Sequence, residues 1–306
     1  MKFKLRFRFR KTLFVVLALL FVVQPSVMAE GKKASSPSPS STMKVTFYSE
    51  SLQQNMRLNV YLPANYEKKD KYPVLYLIHA YPHNEDFWFN TLNVTSKADE
   101  LIAAGKLEPM IIVAPQIDNS WGINAAEKAG IWYGDKTDPK AWYEGMYEDF
   151  VAKDVVTYID DHFKSNRSRD SRYIGGTSMG GYAALHIGLR NTKLFSKIGG
   201  HSPAVFLNDM WQPLHDWMYP TEQARNDRDP IRLAASEKLN NVSLYVDLGD
   251  QDNFKPAIMA LDEAFRSNKT ARSYQFHITP GGKHDESYWT TQVSNYLLFY
   301  GGNAKR

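Results

Sequence analysis

Two short stretches constrain the fold more than anything else in the chain. Val74-Leu75-Tyr76-Leu77-Ile78 and Met110-Ile111-Ile112-Val113 are unbroken apolar runs, rich in β-branched and aromatic residues. A strand with one wet face alternates apolar and polar residues. An unbroken run suits a strand covered on both faces, as in a parallel sheet packed between helices. Ser243–Leu248 and Tyr274–Ile278 read less cleanly as further strands. Helical stretches lie between these runs, roughly at 94–105, 147–164, 179–190, 255–267 and 285–299. In the second, Tyr147, Val151, Val155, Tyr158 and Ile159 recur at spacings of mostly three and four, giving one apolar stripe. Strand and helix in alternation predict an α/β sheet with right-handed crossovers. Upstream, Met43–Ser49 and Met56–Leu62 alternate or nearly alternate around a polar turn and predict an antiparallel pair. No internal repeat or second linker interrupts this pattern, so 43–306 reads as one domain. Two stretches, 117–145 and 201–241, do not fit the alternation and are crowded with Trp and Tyr.

The N-terminal part reads differently. Lys2, Lys4, Arg6, Arg8, Arg10 and Lys11 precede an apolar run from Leu13 to Val23 that is too short to span a bilayer comfortably. Val27 and Ala29 then stand at the −3 and −1 positions for cleavage after Ala29. Basic, apolar, then small is the order of a secretory signal peptide, so 1–29 is expected to direct export. An uncleaved membrane anchor is the rival. Residues 30–42, mostly Gly, Lys, Ala, Ser and Pro, read as a flexible tether. The whole chain carries a formal charge of +4, but six positive charges and no acid lie in residues 1–29. With those six set aside the charge is −2, which removes the reason to expect a nucleic-acid partner. The absence of cysteine excludes a disulfide scaffold, Cys-based zinc sites and a thiolate nucleophile.

Chemistry is carried by Arg172-Tyr-Ile-Gly-Gly-Thr-Ser-Met-Gly-Gly-Tyr182, which contains Gly176-x-Ser178-x-Gly180 between a short apolar strand and a small-residue helix start. A serine on such a tight strand-to-helix turn projects over the sheet edge, where the helix N-terminus favours developing negative charge. At about 7% usage per residue type, the bare pattern arises by chance in roughly one such chain in ten. Its surroundings therefore decide. A serine nucleophile needs a base, and the base needs an orienting acid, expected in the order Ser, Asp or Glu, His on loops after strands. His284 lies in Thr279-Pro-Gly-Gly-Lys-His-Asp285, a Gly-rich loop directly after the last strand. His277 lies within that strand, and His201 and His215 fall in the aromatic-rich stretch. His284 is thus the expected base. The strand Ser243–Leu248 ends in Gly249-Asp-Gln-Asp-Asn253, giving Asp252 as the preferred acid and Asp250 as the alternative. The expected oxyanion-hole donors are the backbone N–H groups of Met179, after the nucleophile, and of Tyr81 in His79-Ala-Tyr-Pro-His83. Pro82 has no N–H to offer. His79 and His83 have no evident third ligand beside them, so neither a metal nor any other cofactor is expected.

The segments Leu58-Asn-Val-Tyr-Leu-Pro63, Lys71-Tyr-Pro-Val-Leu-Tyr-Leu-Ile-His79, Gly176-Thr-Ser-Met-Gly-Gly181 and Gly281-Gly-Lys-His284 with Trp289 resemble the esterase D-like branch of the α/β-hydrolases. That branch includes S-formylglutathione hydrolases, feruloyl, acetylxylan and enterochelin esterases, and the mycolyltransferases. The likeness runs from Ser49 to Trp289. It implies an α/β-hydrolase fold with Ser178 as nucleophile, Asp252 as acid and His284 as base. One departure stands out: the branch usually has Gly after the strand-end histidine, where this chain has Ala80. If that position needs a positive φ, alanine costs about 1 kcal/mol or more and reshapes the oxyanion loop.

The expected activity is that of an exported serine carboxylesterase acting on a small-molecule or polysaccharide-linked acyl ester. An acyltransferase using a sugar hydroxyl and a catalytically idle binding protein are the alternatives. Trp121, Trp132, Trp142, Trp211 and Trp217 are the candidates for lining a substrate cleft, with core packing as the plainer role for any one of them.

Overall fold

The structure is a computed structural model and describes residues 38–125 and 145–302. The reading of 1–29 as an export signal, most of the tether, and the candidates Trp132 and Trp142 lie outside the described residues. In chain order come strands β1 (Ser41–Ser49), β2 (Gln54–Leu62) and β3 (Val74–Ile78), helix α1 (Val94–Ala103), and β4 (Ile111–Pro115). A two-residue pair, β5 (Asn124–Ala125) and β6 (Gly145–Met146), precedes α2 (Tyr147–Asp149), α3 (Val156–His162), β7 (Arg172–Thr177) and α4 (Met179–Arg190). Then follow β8 (Lys197–His201), α5 (Gln212–Met218), α6 (Glu222–Arg228), α7 (Pro230–Ser236), β9 (Ser243–Gly249), α8 (Lys255–Ser267), β10 (Ser273–Thr279) and α9 (Glu286–Gly301).

Eight strands form one sheet in the order β1-β2-β4-β3-β7-β8-β9-β10. β1 pairs antiparallel with β2, and β2 with β4, while every pair from β4 to β10 is parallel. The apolar runs become central strands, and their alternate residues enter different cores. Val74, Tyr76 and Ile78 pack on the face covered by α4, whereas Leu75 and Leu77 pack on the face covered by α1 and α9. Both faces are dry, and that is why the runs show no polar alternation.

Three boundaries differ from expectation. β1 begins at Ser41 and takes in the last two residues of the segment read as a tether. The stretch 147–164 is not one continuous helix: α2 passes through a π-helical segment, Phe150–Val155, into α3. And Lys197–His201, which carries two glycines and no apolar run, is an internal strand, so His201 ends a strand and does not belong to the irregular segment. That segment folds into the short helices α5 to α7. It is anchored by Arg228, which donates to the Met218 and Asn124 carbonyls at 2.6 and 2.9 Å.

Strand order changes direction beside β3: the chain passes from β3 to β4 on one side, then returns to β7 on the other. A crevice opens at the carboxyl ends of the strands at such a switch point, and open α/β sheets bind their ligands there.

Candidate active site

Neighbouring strands deliver the key side chains in order. Thr177, His201 and Asp247 pair in register across β7, β8 and β9, so the loops after these strands start side by side. β7 leads into Ser178, β9 into Asp252 and β10 into His284.

Ser178 has φ 57° and ψ −118°, outside the regions a non-glycine residue favours. Its surroundings hold it there. The Ser178 N–H donates to the His201 carbonyl at 3.0 Å, and its carbonyl accepts from Ala204 N–H at 3.0 Å and from Tyr182 N–H at 3.0 Å. The flanking glycines are steric necessities: a Cβ on Gly176 would lie 2.1 Å from the Gly180 carbonyl oxygen, and one on Gly180 would lie 2.2 Å from that of Ile78. The turn therefore packs backbone against backbone, with no room for a methyl group.

Ser178 Oγ lies 2.7 Å from His284 Nε2. His284 Nδ1 lies 3.0 and 3.1 Å from the two carboxylate oxygens of Asp252. An ionised carboxylate only accepts, so Nδ1 carries the proton and Nε2 is left to accept from the serine hydroxyl. Asp252 is buried, and its Oδ1 also accepts from Phe254 N–H at 2.8 Å. Asp250 does not reach the histidine; its Oδ1 accepts from Gly281 N–H at 2.8 Å. The His284 ring meets the Trp289 ring edge-on at 5.1 Å and packs against Phe254 at 4.7 Å.

Met179 is the first residue of α4, and a first-turn N–H has no acceptor within its own helix. Tyr81 is partly buried on the loop after β3, where His83 N–H donates to the Ala80 carbonyl at 2.9 Å and closes a turn over Tyr81-Pro82. Ala80 is not among the residues with positive φ, so the strain expected from alanine there does not arise. The loop is held from beneath. Trp88 Nε1 donates to the Ile78 carbonyl at 2.9 Å, and His79 Nε2 accepts from Ile117 N–H at 3.1 Å. His79 Nδ1 then carries the proton toward the Ala80 carbonyl at 3.0 Å. Burial pushes the His79 pKa down to about 4, which keeps the ring neutral. With both nitrogens occupied, His79 is a structural residue. His83 instead pairs with Glu286 at 2.9 Å, tying the loop after β3 to the start of α9.

Of the tryptophans offered as cleft candidates, Trp121 packs against other aromatic rings. It is 3% exposed, meets Tyr182 edge-on at 5.3 Å and packs on Phe206 at 5.7 Å. Trp217 is partly buried against the same core, and Trp211 is 48% exposed at the start of α5. Three contributors carried no motif: Phe206, Phe254 and Ser202. Phe206 packs on Phe254 at 5.4 Å, and Phe254 in turn on His284, which continues an aromatic wall from Trp121 to the histidine.

A family model described as "Putative esterase" matches residues 49–300, nearly all of the described chain. The chain belongs to that esterase family. Among curated relatives, it is 33% identical over 173 residues to an endo-1,4-beta-xylanase/feruloyl esterase of Xylanibacter ruminicola. That match covers 54% of this chain and 22% of the relative. It is 25% identical over 174 residues to an acetyl esterase of Caldicellulosiruptor saccharolyticus, covering 54% and 57%. The matches thus span about a fifth and somewhat over half of these relatives' own lengths. Among solved structures, a ferulic acid esterase superposes with a TM-score of 0.70 at 24% identity, covering 86% of this chain and 98% of that one. A ferulic acid esterase from Anaeromyces mucronatus, in complex with ferulic acid, superposes at 0.65 with 19% identity, covering 91% and 96%. Together with the sheet described above, these neighbours make the architecture an α/β-hydrolase fold. Among the described residues of this esterase family member, no three His, Asp or Glu side chains gather as a metal site, and no helix is long and apolar enough to cross a membrane.

Proposed function

We propose that the chain is an exported serine carboxylesterase that hydrolyses an acyl ester through an acyl-enzyme on Ser178. The observation that carries this reading is the hydrogen-bonded chain Ser178–His284–Asp252 at the switch-point crevice. His284 takes the Ser178 proton as the hydroxyl oxygen attacks the ester carbonyl, and Asp252 holds the imidazole in the required tautomer and offsets its charge. The Met179 and Tyr81 N–H groups stabilise the tetrahedral oxyanion. His284 then protonates the leaving alcohol, and water, activated by the same base, releases the acid.

The acyl group is proposed to be aromatic and the alcohol a carbohydrate. Phe254 packs on the base and Phe206 on Phe254, and this partly buried aromatic pair beside His284 suits a flat acyl ring. The relatives named above as feruloyl or ferulic acid esterases agree with this choice. Export rests on the basic, apolar, small-residue order of residues 1–29. The test is a panel of acetyl, butyryl, longer acyl and feruloyl esters assayed with purified protein and with Ser178→Ala. The reading predicts that feruloyl esters give the highest kcat/KM and that the variant turns over none of them. Undiminished turnover by Ser178→Ala would sink it.

A further inference from the structure

The last residue of β8 and the one that follows it touch both the nucleophile and the acid. The His201 carbonyl accepts from Ser178 N–H at 3.0 Å, and the next side chain, Ser202, donates its hydroxyl to Asp252 Oδ2. Two residues further on, Ala204 N–H takes the Ser178 carbonyl at 3.0 Å. The segment 201–204 therefore grips the nucleophile's peptide from both sides while holding the carboxylate of the acid.

We propose that Ser202 is a positioning residue for catalysis, setting the Asp252 carboxylate in the plane and at the distance that His284 requires; this rests on the serine-esterase reading above. Three observations carry it. First, Ser202 is fully buried, and Asp252 Oδ2 is the partner its hydroxyl meets. Second, Ser202 has φ 47°, a conformation that glycine adopts freely and other residues at a cost. A glycine would satisfy the backbone at this point; what serine adds is the hydroxyl. Third, the peptide that carries it is anchored from beneath. Ser202 N–H donates to the Asp247 carbonyl at 2.9 Å. The Asp247 carboxylate accepts from the Tyr288 and Tyr296 hydroxyls and lies 3.4 Å from His201 Nδ1, while His201 Nε2 and the Tyr300 hydroxyl are 3.0 Å apart. This buried polar network sits under the triad and does not enter the proposed reaction. Its consequence is a rigid seat for Ser202.

Asp252 then has each oxygen committed. Oδ1 takes Phe254 N–H, Oδ2 takes the Ser202 hydroxyl, and both face His284 Nδ1. Removing the Ser202 donor frees the carboxylate to rotate away from the imidazole, and the loss falls on the chemical step and not on substrate binding.

The test is a double-mutant cycle read by kcat and KM on an activated aryl ester and by the rate of labelling with a fluorophosphonate. Ser202→Ala should lower kcat and the labelling rate about ten- to hundredfold, as expected for a lost hydrogen bond to a charged group, with KM within about twofold. In an Asp252→Ala background the same substitution should cost nothing further, because its effect passes through that carboxylate. Ser202→Gly, which relieves the backbone and still lacks the hydroxyl, should repeat both results and covers the case in which the alanine variant folds poorly. An equal loss in both backgrounds, or wild-type rates for Ser202→Ala or Ser202→Gly, overturns the proposal. Ser178→Ala run alongside separates the two readings. If it still turns over ester, the serine mechanism falls. If it is inactive while both Ser202 variants match the wild type, only the positioning role falls.

Discussion

Ser178 Oγ and His284 Nε2 lie 2.7 Å apart across a separation of 106 residues. Neither residue reaches the other through local structure. The contact exists because β7, β8, β9 and β10 run side by side and release their loops at one sheet edge. The contact is thus a product of strand order.

Asp252 and Asp250 share a loop and differ in what they hold. Asp252→Asn presents an amide to His284 Nδ1 and disfavours the productive tautomer, so kcat should fall by about 10³–10⁴-fold. Asp250→Asn disturbs only the bond to Gly281 N–H and should leave kcat within about threefold. Steady-state kinetics on one activated ester compares the two.

Gly180 meets the sheet without clearance. A methyl group there would stand 2.2 Å from the Ile78 carbonyl oxygen and 2.5 Å from that of His79, both backbone atoms. Gly180→Ala should destabilise the fold by at least about 3 kcal/mol or yield no soluble protein. Urea denaturation beside the wild type measures it.

His79 makes stability depend on pH. Burial lowers its pKa from 6.5 to about 4 in the folded state. Between those values the unfolded chain takes up a proton that the folded chain refuses, so stability falls as pH falls. The slope is about 1.4 kcal/mol per pH unit and the total about 3 kcal/mol. His79→Gln has no such titration. Its urea-melt stability should be lower at pH 7 but decline less steeply from pH 6.5 to 4 than that of the wild type.

Trp121 and Trp211 should separate cleanly. Trp121→Ala removes a ring packed on Tyr182 and Phe206 and should cost about 3–5 kcal/mol. Trp211→Ala, at a largely exposed position, should stay within about 1 kcal/mol of the wild type by the same thermal or urea measurement.

Much of this arrangement was legible in the sequence where burial leaves a pattern. Val74–Ile78 shows itself as a doubly covered strand because every residue in it is apolar. Helices 179–190 and 255–267 read as helical stretches between the strand-like runs and emerge with those bounds. The elbow, the Asp252 loop and the His284 loop were legible because small residues and turn residues mark them. β8 was not. In Lys197-Ile-Gly-Gly-His201 the two glycines make room for neighbours, the Tyr300 hydroxyl at Gly199 and Leu185 at Gly200, so at these two positions the strand is covered by other residues' side chains. A strand of that kind leaves no hydrophobic run. The sequence pattern therefore places His201 in the irregular segment and gives no sign of Ser202. The roles of Phe206 and Phe254 were equally hidden, since a lone aromatic in a loop gives no sign of which side chain it will meet.

The proposed serine mechanism requires a covalent bond to Ser178. Mixing the protein briefly with an activated aryl ester, quenching in acid and mapping the acylated peptide by mass spectrometry measures it. One acyl group per chain is expected, located at Ser178, absent from Ser178→Ala, and accumulating when deacylation is the slower step. Turnover of the ester with no adduct at Ser178 under any quench time, or an adduct that persists at another residue in Ser178→Ala with activity intact, would contradict that mechanism.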